Sequence, residues 1–453
     1  MKIIIAGGGK IGSTLARKLS VEGHDLTIID INPSVLEAAQ EHYDTMTFAG
    51  NCASMEVLLG AGIEGADLLI AVTGADEVNL LCCMTAHGIN NNLHTIARIR
   101  NPAYTEQVMT MGNVFPLSLT VNPEKQVATE IERLLKYPGF LRRDTFAKGR
   151  VEIVELRIDA GSALCNTSLN EMSSIVKCKV LVCAVLRGGT AIAPSGNFVL
   201  REGDRIFVTA PTSHLTILLK NLGIITRRVK RAMLCGGGRV SYYLAKLLEK
   251  DGIQVQILEK NPERCLELAH LLPNASIIQE NCSNHAALES QGIRQCDAVV
   301  TLTGLDATNM VISLYAGSCG VPQIITKLSS TENISIGDTI SLGSMLCPRE
   351  LCSNSIVRYV RAMENQTGAA VSVHAIADGQ AEAVEFRAEN TTKYLGIPLK
   401  EIKLKPNVLI ASITHGAETE IPNGNSVFQS GDTVVVVTSG RRVLQQINDI
   451  FAS

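Results

Sequence analysis

With 453 residues the chain is too long for one compact domain, and roughly two to four are expected. Hydrophobic residues make up 46% and charged residues 19%, which excludes disorder; aromatics are 4% with no Trp, so the core must be aliphatic. A net charge of −3 gives no electrostatic case for nucleic acid, and no apolar run approaches the roughly 20 residues of a membrane helix.

The chain opens "MKIIIAGGGKIGSTLARKL". The run at 2–6 reads as a buried strand, followed by a glycine loop and a helix with Ile11, Leu15, Ala16 and Leu19 on one face. No signal-peptide pattern precedes it, so the chain reads as cytoplasmic. Further strands are expected near 25–30, 45–49, 67–72 and 94–99, with helices between them. That alternation predicts right-handed crossovers and a doubly wound parallel sheet. A helix follows at 123–136, carrying Val127, Ile131, Leu134 and Leu135 on one face and stopped by Pro138 and Gly139. The next part is strand-rich, with strands at 151–158, 180–187 and 204–210. Its "PSGN" turn and the "EGD" before the last strand supply hairpin chemistry.

The pattern then starts again. Gly7, Gly9 and Asp30 recur as Gly236, Gly238 and Glu259 at one constant offset, and the helix face recurs as Val240, Leu244, Ala245 and Leu248. "TGADEVN" at 73–79 answers to "TGLDATN" at 303–309, and "PEKQVATEIER" at 123–133 to "PRELCSNSIVR" at 348–358. "APSGNFVLREGD" at 193–204 answers to "IPNGNSVFQSGD" at 421–432. The expected fold is therefore α/β, with two Rossmann-like doubly wound domains at 1–123 and 232–348. Each is followed by a small α+β domain, at 143–227 and 368–453.

Gly7, Gly8, Gly9 and Gly12 lie between a strand and an amphipathic helix, the context a dinucleotide loop requires. Gly7 permits the turn, Gly9 lets backbone approach a pyrophosphate, and Gly12 lets the helix pack closely on the sheet. The unpaired N–H groups of the helix N-terminus favour phosphate. Asp30 ends the second strand, where a carboxylate accepts bonds from an adenosine ribose and repels a 2′-phosphate. NAD or another adenine nucleotide is expected there over NADP. In the second loop Gly236, Gly237 and Gly238 remain, Ser241 stands at the third glycine position, and Glu259 is the acid. Nucleotide binding and a copy kept for architecture are both open readings of it.

Thr73-Gly74 and Thr303-Gly304 end the fourth strand of each copy and are placed to line ribose and base. Arg98 and Lys327 end the fifth, while Lys10 and Arg239 sit inside the loops; each meets a phosphate or is an ordinary solvated cation. His94 on the fifth strand matches Gln323, so no repeated acid–base pair accompanies the loops. The 13 cysteines form no CxxC, and 9 scattered histidines offer no metal spacing, so buried unpaired thiols are expected. An NAD-dependent oxidoreductase and a cysteine-based redox sensor are the competing readings.

The order glycine-loop domain, helix and small β-rich domain resembles the RCK, or KTN, regulatory unit of potassium channels and transporters. The marks are "IIIAGGGKIG", "IID" at 28–30, "VTGADEVN" at 72–79, "IAR" at 96–98 and the duplication itself. The resemblance implies that Gly7 to Ile11, Asp30, Thr73, Gly74 and Arg98 hold one nucleotide. Gly236 to Val240, Glu259, Thr303, Gly304 and Lys327 would hold another, and neither site is catalytic. It further implies NAD(H), with ATP or ADP as alternatives, and a regulator on the cytoplasmic membrane face. Its partner would be a transmembrane potassium-translocating subunit, and the chain would assemble as a homo-oligomeric ring, a tetramer by the tandem arrangement.

Overall fold

The computed structural model describes residues 1–111, 116–136, 140–222, 229–330, 333, 340, 342–363, 370–439, 444 and 446–452. The first sheet is built from β1 (Lys2–Ala6), α1 (Lys10–Val21), β2 (Asp25–Asp30), α2 (Pro33–His42), β3 (Met46–Ala49), α3 (Met55–Gly60), β4 (Leu68–Ala71), α4 (Asp76–Ile89), β5 (His94–Arg98), α5 (Pro102–Thr110) and β6 (Leu119–Val121). Its strands run parallel in the order β3-β2-β1-β4-β5-β6, as the alternation predicts. The sixth strand is an addition: three residues of "LTV" carry too little periodicity to be read as a strand, and pairing with β5 creates it.

A long amphipathic helix, α6 (Pro123–Lys136), leaves this sheet. The stop expected at Pro138 and Gly139 lies outside the described residues. A small domain follows: β7 (Arg142–Phe146), β8 (Val151–Arg157), α7 (Leu169–Val176), β9 (Leu181–Arg187), β10 (Thr190–Ile192), β11 (Arg205–Pro211) and α8 (Thr212–Asn221). Its sheet is antiparallel, in the order β10-β9-β11-β8-β7. One expectation is corrected here. "PSGN" closes no hairpin, because β10 and β11 both pair with β9; the tight turn is Gly188-Gly189, between β9 and β10.

The second unit repeats the first. It comprises β12 (Arg231–Cys235), α9 (Arg239–Lys250), β13 (Gln254–Glu259), α10 (Pro262–Leu271), β14 (Ser276–Gln279), α11 (His285–Ser290), β15 (Ala298–Thr301), α12 (Asp306–Ser318), β16 (Gln323–Lys327) and β17 (Ser344–Leu346). Then come α13 (Pro348–Met363) and the strands β18 (Ala370–Ile376), β19 (Ala381–Arg387), β20 (Val408–His415), β21 (Glu418–Glu420) and β22 (Thr433–Ser439). Strand orders β14-β13-β12-β15-β16-β17 and β18-β19-β22-β20-β21 match the first copy.

The connecting helices are exchanged between the copies. Val127, Ile131, Leu134 and Leu135 of α6 are buried not on their own sheet but with Val240, Leu244 and Leu248 of α9. Reciprocally, Cys352, Ile356, Val357 and Val360 of α13 share a core with Leu15, Ala16 and Leu19 of α1. Each fully buried aliphatic side chain contributes about 1.5–3 kcal/mol, so each exchanged stripe ties the copies strongly. Matched polar contacts flank both seams: Lys136 meets Asp251 at 3.1 Å, and Arg361 meets Glu22 at 2.5 Å. His94 and Gln323 serve the same joints, facing the Tyr359 hydroxyl at 3.0 Å and the Leu134 carbonyl at 2.7 Å. The two small sheets pack on one another through Phe146, Ile153 and Phe207 against Ile376, Ala411 and Val437. All 13 cysteines are free.

Candidate functional site: two glycine loops at the carboxyl edges of the sheets

The buried run Ile3-Ile4-Ile5-Ala6 delivers Gly7 to the carboxyl edge of the first sheet. Gly7 has φ of +102°, and an added Cβ would stand 2.9 Å from the Thr73 nitrogen; only glycine fits. Its copy Gly236 has φ of +107° and the same neighbour, the backbone at Leu302 and Thr303. At Gly12 a Cβ would lie 1.9 Å from the Gly7 carbonyl oxygen, so α1 sits directly on the loop. In the second copy that position is Ser241, fully buried, with its hydroxyl donating to the Gly236 carbonyl.

Gly9 and Gly238 are different. Nothing approaches within 4 Å of a Cβ built on either, and each starts its helix without a side-chain cap. The N-termini of α1 and α9 are thus uncapped by side chains and open at Gly9 and Gly238, with Lys10 and Arg239 exposed beside them. Ile11 and Val240 are buried in the cores beneath, so only their backbone N–H groups are available to a ligand.

The acids hold the loops. Asp30 accepts from Gly8 N at 2.7 Å and from Asn32 N at 2.9 Å. Glu259 accepts from Gly237 N at 2.7 Å and from Asn261 N at 2.8 Å, which restores the geometry with a longer side chain. The N–H groups of Gly8 and Gly237 are thus spent on the protein, not on a ligand. Asn32 and Asn261 cap α2 and α10 ahead of Pro33 and Pro262, which fixes where the chain turns away from each acid.

Across the loop, Thr73 and Thr303 sit above the sheet edge. The N–H and hydroxyl of Thr73 donate to Asn79 Oδ1 at 2.8 and 2.7 Å, and Asn79 Nδ2 donates to the Arg98 carbonyl at 2.9 Å. Asn309 does the same for Thr303 and Lys327, at 2.9, 2.7 and 2.9 Å. These buried asparagines staple β4 to β5 and β15 to β16, and reading the sequence for Thr-Gly alone missed them. The signal was present, since both "TGADEVN" and "TGLDATN" keep Asp and Asn at one spacing. The aspartates also anchor backbone: Asp76 accepts from Arg100 N at 2.8 Å, and Asp306 from Ser329 N at 2.8 Å. Burial opposes charge on Asp306, but the N–H groups of Ser329 and Ser330, with the Asn333 amide, hold its carboxyl below the usual range.

Gly74 and Gly304 are exposed and unobstructed. Arg98 donates from Nη2 to the Thr73 carbonyl, and Arg100, another unforeseen cation, from Nη2 to that of Gly74. Burial, and then the neighbouring Arg100, press the Arg98 guanidinium below its ordinary value. Among the described residues Lys327 donates to the Leu302 carbonyl, at 3.3 Å, and burial lowers its ammonium too. Both cations are half-buried and feel the carboxylates of Glu124 and of Asp76 or Asp306, yet among the described residues their side chains bond only backbone carbonyls. A phosphate at the sheet edge would add a charge-assisted partner.

Residues 3–115 and 232–347 match the TrkA-N domain, and residues 153–223 and 383–451 the TrkA-C domain. The chain is 29% identical to the Trk system potassium uptake protein TrkA of Vibrio alginolyticus, covering 100% of this chain and 98% of that one. It is 30% identical to the protein of the same name from Haemophilus influenzae, again over 100% and 98%. The homolog from Archaeoglobus fulgidus is 30% identical over 100% of both chains. Among solved structures, the GsuK RCK domain superposes with a TM-score of 0.62 at 17% identity, covering 97% of this chain and 92% of that one. The GsuK channel bound to NAD gives 0.61 at 17% identity, over 97% and 76%. These matches carry the tandem arrangement from end to end, and the oxidoreductase reading falls with them. The chain belongs to the TrkA family, as two successive TrkA-N and TrkA-C pairs.

Proposed function

We propose that this chain is the nucleotide-sensing regulatory subunit of a potassium-uptake system. It would act on the cytoplasmic membrane face by gating a transmembrane potassium-translocating partner. Relatives along its full length are named potassium uptake proteins, and a channel that shares its fold is described as bound to NAD. No described helix is long and apolar enough to cross a membrane, which fits a subunit working through a partner. One observation carries the reading: each open glycine loop starts a helix that is packed by the connecting helix of the other copy.

NAD(H), or ATP and ADP, would place phosphates over Gly9 and Gly238 and the ribose at Asp30 and Glu259. A ligand that shifts α1 or α9 then moves the helix leading to the small domain of the opposite copy. It biases the assembly only by binding its shapes unequally, and a coupling of about 1–3 kcal/mol changes the open population several-fold or more. A homo-oligomeric ring, a tetramer of tandem chains, would pass that bias to the partner.

The test is titration of NAD, NADH, ATP and ADP into the purified chain, with Asp30→Asn and Glu259→Gln variants, alongside potassium uptake in cells carrying them. Binding lost site by site, with altered uptake, supports the proposal. A chain that binds no adenine nucleotide, or variants that regulate uptake normally, would overturn it.

A further inference from the structure

Beyond the matched pairs Lys10/Arg239 and Arg98/Lys327, the two sites place their further cations at opposite ends. In the first, the cations lie on the β5 side: Arg98 bonds the Thr73 carbonyl, and Arg100 that of Gly74. Around its acid the flank is apolar, with Ile31 left 76% exposed and Val35 packed against Gly8. In the second, Arg100 is answered by Ser329, so the β16 side keeps Lys327 alone. The flank of its acid is charged instead: Lys260 stands exposed where the first copy has Ile31 and Arg264 where it has Val35, accompanied by the exposed acids Glu263 and Glu267 in place of Ser34 and Ala38. Arg264 is held at the loop, its Nε donating to the Gly237 carbonyl at 2.7 Å, and Glu267 steadies its Nη1 at 2.5 Å.

The end of the second strand is where a doubly wound sheet receives the adenosine ribose. Glu259 stays acidic there and by itself disfavours a ribose phosphate, but both its oxygens already accept backbone N–H groups, from Gly237 at 2.7 Å and Asn261 at 2.8 Å, and two cations stand on its flank. Asp30 is spent in the same way, so the difference between the sites lies in the flanks. A guanidinium and an ammonium beside a ribose hydroxyl match a phosphate carried on that ribose, whereas an isoleucine and a valine match a bare adenosine.

We propose that the second site takes an adenine nucleotide phosphorylated on its adenosine ribose, as in NADP(H), while the first takes the unphosphorylated form. This rests on the nucleotide-sensing reading and divides its ligands between the sites, with Lys260 and Arg264 as the residues that set the preference.

Calorimetric titration of the full chain with NADPH and, separately, NADH tests it, with 2′,5′-ADP and 5′-AMP as probes without nicotinamide. NADPH is expected to bind at one equivalent per chain. A Lys260→Ile, Arg264→Val double variant should weaken NADPH and 2′,5′-ADP by at least about tenfold, the scale of a lost charge-assisted contact. NADH binding at the first site should persist in that variant. The reciprocal Ile31→Lys, Val35→Arg variant should add a second NADPH equivalent, a gain that misfolding cannot mimic. NADH binding without NADPH binding overturns the proposal and leaves the nucleotide reading standing. NADPH binding unchanged in the double variant overturns the assignment to Lys260 and Arg264. A chain that binds none of the four overturns both.

Discussion

The two glycine loops keep the same glycine and acid geometry and differ in kind at the third glycine position. In the first, Gly12 allows α1 to sit on the Gly7 carbonyl with no room for a methyl group. In the second, Ser241 fills that gap and turns the contact into a hydrogen bond to Gly236. The first loop therefore needs its third glycine for packing, and in the second a small hydroxyl residue supplies an equivalent solution. What the copies keep unchanged is the left-handed first glycine, the open second position and the acid–amide bond.

The largest test of that comparison strikes the joint between copies. Ile131→Ala in α6 and Ile356→Ala in α13 each empty a fully buried position and should cost about 2–5 kcal/mol. Because the helices are exchanged, hydrogen exchange should quicken in the sheet of the opposite copy: Ile131→Ala in β12 and β13, Ile356→Ala in β1 and β2. Quickening confined to the mutated copy's own sheet would break the picture of exchanged helices.

Gly12→Ala comes next. A Cβ 1.9 Å from a carbonyl oxygen forces the loop to move, and overpacking of this kind costs about 1–3 kcal/mol. Nucleotide affinity should fall at the first site alone. Asn79→Ala and Asn309→Ala should cost similar amounts in either copy, about 1–3 kcal/mol, because each strands a buried N–H and a carbonyl. Ser241→Ala should be milder, about 1 kcal/mol, since it removes one bond and leaves the methylene in place. Chemical denaturation of the four variants checks the order, and a Ser241→Ala loss as large as that of Gly12→Ala would erase the distinction between the loops.

The fold was legible in the sequence wherever periodicity was strong. Runs such as Ile3 to Ala6 and Leu68 to Ala71 are buried on both faces and read as strands because nothing else suits them. Duplication then doubled every observation. What stayed hidden depends on long-range pairing: β6 and β17 are three residues each and exist only against β5 and β16. The amphipathic stripe of α6 was visible, but not which copy it would cover, since hydrophobicity names no partner. Within the sites, glycine and acid positions were readable from spacing. Asn79 and Asn309 were not singled out, because polar residues within a helix ordinarily read as solvent-facing. Arg264 showed no importance until Gly237 was found beside it.

The smallest effect is a pH dependence in the second copy. Asp306 is kept ionised by backbone N–H groups of Ser329 and Ser330 together with Asn333, against the pull of burial. Its folded-state pKa lies below the unfolded value of about 3.9, so its stabilisation is complete above that value and is lost as pH falls through the folded one. Asp306→Asn should therefore lower stability at neutral pH and flatten the dependence below about pH 4, because an amide keeps one acceptor oxygen, loses the charge and does not titrate. Unfolding midpoints at several acidic pH values, compared with wild type, measure this directly. Curves that stay parallel down to the acid limit would mean that Asp306 carries no proton-linked share, and that the acid sensitivity of the second sheet resides elsewhere.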